Sequence, residues 1–166
     1  MLTMIRILTP DGLQAAPYSA DTLNDAAQFE PADGVYTVAS TFNATQTLKL
    51  DAHLDRLEDS ARRVNIPLEL NRVRLRAALR QMIEESGFGS VRFRITLPRE
   101  HPDQLILSIE PFTTNIAQLV ANGIRCATVS GSARSNPAAK YTGWMHERKA
   151  AIDSTAAVQH VDERLL

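Results

Sequence analysis

Lys140 stands in the run Ala138-Ala-Lys-Tyr-Thr-Gly-Trp144, behind two small residues and ahead of two aromatic ones. A lysine amine forms imines with carbonyl compounds, and as a free base it moves protons at the adjacent carbon. That chemistry needs an amine of lowered pKa, which burial and neighbouring cations supply. It also needs space, and Ala138 and Ala139 leave room for a flat ring. The alternative is a solvated surface charge, the ordinary fate of a lysine. Arg56 is the second candidate. Its guanidinium is a planar fork of donors that suits phosphate or carboxylate, and it neighbours an apolar helical stripe, so it can point inward. The alternative is a surface ion pair with Asp59. Tyr36 lies in an alternating segment that puts Tyr36, Val38 and Ser40 on one face and Val35, Thr37 and Ala39 on the other. Its hydroxyl can bond a carboxylate or an amine, or it can be a core residue with a satisfied hydroxyl. Trp144 donates only through its indole nitrogen; it either packs on a ring or fills the core.

The remaining reactive types point elsewhere. His101, His146 and His160 lack metal-ligand spacing with any partner, so no metal is expected. His53 falls in the first turn of a helix, where it caps or packs. Arg92 and Arg94 alternate with Val91 and Phe93 and share one strand face, which turns either to an anionic substrate or to water, and water is the expectation. Cys126 is the one cysteine; it makes no intrachain disulfide, reads as a buried strand residue, and fits a reducing compartment. A net charge of −1 gives no global pull towards nucleic acid or an anionic membrane. No secretory leader or membrane-length apolar run is evident, so a cytoplasmic location is expected.

Positioning these residues takes a scaffold, and the pattern supplies one. Strands are expected near residues 1–8 and 13–17, with Pro10-Asp-Gly12 as the turn between them. Residues 18–33 show no clear element. The β-branched run Val35–Phe42 is a strand, and Thr47–Leu50 a short one. Asp51 is expected to cap a helix to about Asn65, with Leu54, Leu57, Ala61 and Val64 inward. A second helix over 71–86 turns Leu75, Ala78, Leu79, Met82 and Ile83 inward and ends at Gly87. Strands at 90–97 and 104–111 follow. The fold class is α+β: a small N-terminal lobe over 1–111, with a mostly antiparallel sheet and two helices. Residues 112–122 read as an interdomain linker. From 123 to 166 a second α/β lobe begins, with a strand at 123–129, a helix from about Thr142 to Ala157, and a strand starting at Arg164.

Three segments, in this order, resemble the class IV (fold-type IV) aminotransferases, the family of branched-chain and D-amino acid aminotransferases and aminodeoxychorismate lyases. Asp33-Gly-Val-Tyr-Thr37 is similar to the family's Asp-Gly-Val-Tyr/Phe-Glu strand start. His53-Leu-Asp-Arg-Leu-Glu-Asp-Ser-Ala61 is similar to its His-x-x-Arg-Leu-x-x-Ser-Ala helix, the most specific of the three. Ala139-Lys-Tyr-Thr-Gly-Trp144 is similar to its Lys-x-x-Asn-Tyr segment. Together they cover most of the chain. Thr37 departs from the family's glutamate, and Gly143 and Trp144 depart from its Asn-Tyr.

The resemblance implies a pyridoxal 5′-phosphate (PLP) enzyme of fold-type IV with Lys140 as the Schiff-base lysine. It implies Arg56 as the phosphate ligand, Trp144 as a further cofactor contact, and Tyr36 at the substrate end. It also implies an amino acid and a 2-oxo acid as substrates, and a homodimer. Aminodeoxychorismate cleavage on the same lysine is an alternative. The family's pyridinium-binding glutamate is expected beyond Leu166. On that expectation the 166-residue chain alone is inactive, a second chain supplies the rest, or the chain is a non-catalytic remnant. An unrelated α+β binding domain is the remaining alternative.

Overall fold

A strand that is apolar on both faces must be covered on both, and the central strands here are of that kind. The computed structural model describes residues 3–112, 116–123, 126–128, 137–145, 147 and 163–165. β1 (Met4–Thr9) turns back into β2 (Gly12–Ala15), with Gly12 taking the positive φ of the tight turn. Next come α1 (Leu23–Phe29), β3 (Gly34–Phe42), β4 (Gln46–Thr47), α2 (Leu50–Arg63) and α3 (Arg72–Ser86). They are followed by β5 (Val91–Pro98), β6 (Leu105–Pro111) and α4 (Ile116–Asn122). β7 (Cys126–Thr128) and β8 (Glu163–Leu165) form a separate parallel pair. The main sheet runs β2-β1-β6-β5-β3-β4 and is antiparallel at every junction. This is the α+β lobe expected from the pattern.

The two faces of the sheet carry different layers. Val35 and Ala39 of β3, alternate residues of β5 from Val91 to Leu97, and Leu105, Leu107 and Ile109 of β6 share one core with α2 and α3. The helices contribute Leu54, Leu57 and Ala61, and Leu75, Ala78, Leu79, Met82 and Ile83, the residues marked by helical spacing. Each large side chain so buried stabilises the fold by roughly 1.5–3 kcal/mol. On the opposite face Ile5 and Ile106 meet Ala20 and Ala26 in a smaller cluster that includes α1. Gly34 lets β3 approach β5 closely. A Cβ there would come 2.6 Å from the Leu97 carbonyl oxygen, which is backbone and has nowhere to go.

Several local expectations fail for identifiable reasons. α1 forms where no element was evident, because it buries only Leu23, Ala26 and Ala27, too few for a stripe. Its available signal was the cap: Thr22 Oγ1 accepts the Asp25 N–H at 3.1 Å. Asp51 does not cap α2. Lys49 holds the N-cap position in a left-handed conformation, and Asp51 turns to Arg72 and Arg76 of α3. The strand expected over Thr47–Leu50 is reduced to Gln46–Thr47. The stretch read as a linker contains α4. Of the helix expected from Thr142, residues 143–145 and 147 are helical, and the rest lies outside the described residues, as do His146 and His160. Among the described residues no helix is long and apolar enough to cross a membrane, and no cluster of His, Cys, Asp and Glu could hold a metal ion.

Candidate functional site

The lysine segment takes the part of the β3 edge that β4 leaves open. β4 pairs only with Thr41 and Phe42. Nearer the start of β3, Val35 forms an antiparallel bridge with Tyr141. The Tyr36 N–H donates to the Lys140 carbonyl at 2.9 Å, and the Thr142 N–H donates to the Gly34 carbonyl at 2.9 Å. The Thr142 hydroxyl donates to the Ala32 carbonyl at 2.8 Å. Asp33 ties the segment down further. Its charge faces the Tyr141 phenol, whose pKa is raised by burial and then by this carboxylate. It also accepts from Arg99 at 2.7 Å, and Arg99 donates to the Val64 carbonyl, the C-cap of α2, at 2.8 Å.

α2 turns His53, Arg56 and Ser60 to this corner, at i, i+3 and i+7. The Ser60 hydroxyl is wholly buried and accepts the Lys140 N–H at 3.1 Å. Arg56 Nη2 donates to Thr37 Oγ1 of β3 at 3.4 Å and to His53 Nδ1 at 3.1 Å. Its alternative partner, Asp59, binds Arg62 and Arg63 instead. Among the described residues no carboxylate pairs with Arg56. The corner is therefore cationic, and His53 registers it: burial, then Arg56, then Lys140 lower its pKa.

Lys140 Nζ lies 5.3 Å from the centroid of the Tyr36 ring. The guanidinium carbon of Arg94 lies 3.8 Å from the same centroid. Tyr36 is on the face that alternation predicts, opposite Val35 and Ala39, and its hydroxyl donates to Met145 Sδ at 3.3 Å. Arg94 corrects an expectation. Arg92 is partly exposed and pairs with Glu110, but Arg94 does not face water: it is 2% exposed and bound to Glu30 of the α1 C-cap. A strand pattern shows that two arginines share a face; it cannot show that α1 covers one of them. Trp144 is buried one turn after the lysine. Gly143 sits closely against its surroundings. A Cβ would come 2.5 Å from Tyr141 Cε1 and 3.2 Å from the Ala32 carbonyl oxygen.

The structure thus sets the Lys140 main chain on α2 one turn from Arg56, which is exposed, and the Lys140 amine near the Tyr36 ring, with Trp144 in the same segment. Ser60, Thr37, Asp33 and the Glu30–Arg94 pair were not singled out from the sequence, although Ser60 follows Arg56 by four residues on the same helical face. A partly buried lysine and, on the adjoining helix, an exposed arginine with no carboxylate partner among the described residues suit a molecule with a carbonyl at one end and an anion at the other.

The histidine gives a pH test. Its folded-state pKa lies below the unfolded value of about 6.5, so the unfolded chain binds the proton more readily. The associated stability is present above that value and is lost as pH falls through the window beneath it. His53→Gln is expected to flatten the dependence of the urea midpoint on pH in that window; an unchanged slope would remove His53 from the account.

Comparison with known proteins bears on the family and the fold. The family model described as Amino-transferase class IV matches residues 34–163. A hypothetical aminotransferase from Mycobacterium tuberculosis, in its PLP-bound form, matches with TM-score 0.66 and 19% identity over 96% of this chain and 61% of its own. The T.th. branched-chain amino acid aminotransferase complexed with N-(5′-phosphopyridoxyl)-L-glutamate matches with TM-score 0.69 and 15% identity, over 100% of this chain and 58% of its own. A fold IV transaminase from Curtobacterium pusillum matches with TM-score 0.67 and 19% identity, over 98% and 62%. The chain spans about 60% of the length of these structures. Comparison with curated proteins finds no match.

Proposed function

The chain belongs to the amino-transferase class IV family, and from that premise we propose that it works as a PLP-dependent aminotransferase, exchanging an amino group between an amino acid and a 2-oxo acid. The observation that carries this is the docking of the Lys140 main chain on Ser60, one turn beyond Arg56 on α2, where Arg56 has no carboxylate partner among the described residues. The donor set fits the cofactor: a dianionic phosphate needs a fixed cationic fork, and an aldehyde needs an amine with space around it. When bound, PLP supplies that aldehyde and a conjugated ring that takes up the electron pair released at the substrate α-carbon.

The residues of this chain do the rest. Lys140 holds the cofactor carbon covalently and, as a free amine, moves a proton at the substrate α-carbon. Arg56 binds the phosphate, kept in orientation by Thr37 and His53. Trp144 adds a cofactor contact from the same segment as the lysine. Tyr36 keeps water from one side of the lysine amine. Its hydroxyl spends its proton on a thioether, a weak acceptor, so a substrate carboxylate would be a better partner. Assembly as a homodimer belongs to the same proposal.

The test is borohydride reduction in the presence of PLP, followed by peptide mapping. A pyridoxyl group on Lys140 is the expected result; recovery at another residue, or none at all, would sink the assignment. Arg56→Ala is expected to keep that adduct but weaken cofactor retention by about 1.5–3 kcal/mol, the worth of a hydrogen bond to a charged group. Arg56→Lys should fall between, since it keeps the charge and loses the fork. Equilibrium dialysis against PLP measures both, and wild-type retention in Arg56→Ala would place the phosphate elsewhere.

A further inference from the structure

We propose that Ser60 is a positioning residue: through the Lys140 main chain, its hydroxyl fixes the spacing between the lysine and Arg56. The inference rests on the assignment of Lys140 as the cofactor lysine. It starts from a residue that is out of place. Serine is a poor choice for a helix interior, because its hydroxyl competes for local backbone bonds. A wholly buried serine also needs a partner for that hydroxyl. On α2 the neighbouring inward positions, Leu57 and Ala61, are apolar. Ser60 is the exception, and its hydroxyl accepts the N–H of the lysine itself at 3.1 Å.

The bridge to β3 leaves that N–H unused. In the antiparallel bridge of Val35 with Tyr141, β3 uses the Lys140 carbonyl and the Thr142 N–H. The Lys140 N–H is not among these bonds, and it donates to Ser60 Oγ of α2 instead. Ser60 also lies one turn beyond Arg56 on the same helix, about 6 Å along its axis. A single rigid element therefore holds the arginine and the main chain of the lysine.

This matters because the proposed ligand is rigid. A flat ring with a phosphate at one end and a reactive carbon at the other has a fixed span, and two anchors serve it well only at that span. The Thr142, Tyr141 and Asp33 contacts hold the lysine segment to β3 and its approach. Ser60 is the contact that registers it against the helix carrying Arg56.

The experiment compares the full chain with Ser60→Ala, Ser60→Thr and Ser60→Cys, using PLP as the probe. Dialysis reads retention, absorbance against pH reads the titration of the lysine-bound cofactor, and borohydride mapping reads its location. Ser60→Ala is expected to keep the adduct on Lys140, to weaken retention about tenfold or more, and to move the absorbance midpoint. Its cofactor-free form should still unfold cooperatively, and Ser60→Thr should restore retention and midpoint. A Ser60→Ala protein that matches the wild type in both would overturn the proposal. If that variant fails to fold, Ser60→Cys decides, since a thiol keeps the shape and is a poor acceptor: wild-type retention and midpoint would overturn the proposal, and loss of both would support it. Wild-type protein without any Lys140 adduct would instead refute the cofactor assignment, a distinct result.

Discussion

Lys140→Ala is expected to lose the borohydride-trapped pyridoxyl group completely, and amino-group transfer with it. Loss of proton transfer alone costs about 10²–10⁴ in rate, and the covalent anchor is lost as well. The fold has no reason to change. The Tyr36 N–H bonds the carbonyl of residue 140 and Ser60 bonds its N–H, and both contacts are main-chain. Alanine keeps them, and Ala139 beside it is already buried. The variant should therefore unfold at a urea concentration close to wild type while failing in chemistry. Small primary amines added to the buffer should restore part of the proton transfer, because they replace the missing base and not a missing contact. Transfer that survives the substitution without added amine, or a pyridoxyl group found on another lysine, would remove Lys140 from the centre of the site.

The prominence of Lys140 in the sequence came from its place behind two other segments and not from its neighbours. Much of the scaffold was legible for a related physical reason. α3 buries Leu75, Ala78, Leu79, Met82 and Ile83 at helical spacing, and the two-residue period of a strand placed Tyr36 and Thr37 on opposite faces of β3, although both are buried. Periodicity fails where an element is short or where burial comes from elsewhere. α1 has seven residues and a narrow apolar face, so only its Thr22 cap announced it. Arg94 looked solvent-facing because nothing in β5 reveals that Glu30, 64 residues earlier in the chain, folds over it. Ser60 was visible as a letter in a motif, but its role depends on a strand that pairs 80 residues later. Gly143 and Trp144 read as departures from a family pattern. In the structure the glycine makes room for the Tyr141 ring, a relation between neighbours that no spacing rule contains.

Glu30→Gln is expected to be the most destabilising change in the lobe, by about 3–5 kcal/mol, the usual cost of breaking a buried pair by removing one partner. The Glu30 and Arg94 side chains are 1% and 2% exposed. Arg94 Nε donates to both carboxylate oxygens, at 3.1 and 2.8 Å, and the Thr96 hydroxyl donates to the same group at 2.8 Å. Nη2 also lies 2.8 Å from the carboxylate but off the hydrogen-bond axis, an ion pair without an aimed bond. Removing the charge of Glu30 leaves a guanidinium against the Tyr36 ring, shut away from solvent and with no other counter-ion among the described residues. It also removes one of the influences that keep the Tyr18 phenol protonated, which are burial first and then this carboxylate. Against a total stability of about 5–15 kcal/mol, the loss should appear as a large fall in the urea midpoint. The double variant Glu30→Leu with Arg94→Met should recover most of it, because apolar side chains of similar volume replace a buried pair at little cost. The recovery would separate structure from chemistry. The double variant removes the Arg94 guanidinium from the Tyr36 ring while leaving Lys140, Arg56 and Ser60 in place, so it should fold, keep the Lys140 adduct, and change only what depends on Tyr36. A single variant within about 1 kcal/mol of wild type would show instead that the pair is hydrated and that Tyr36 is held by its strand alone.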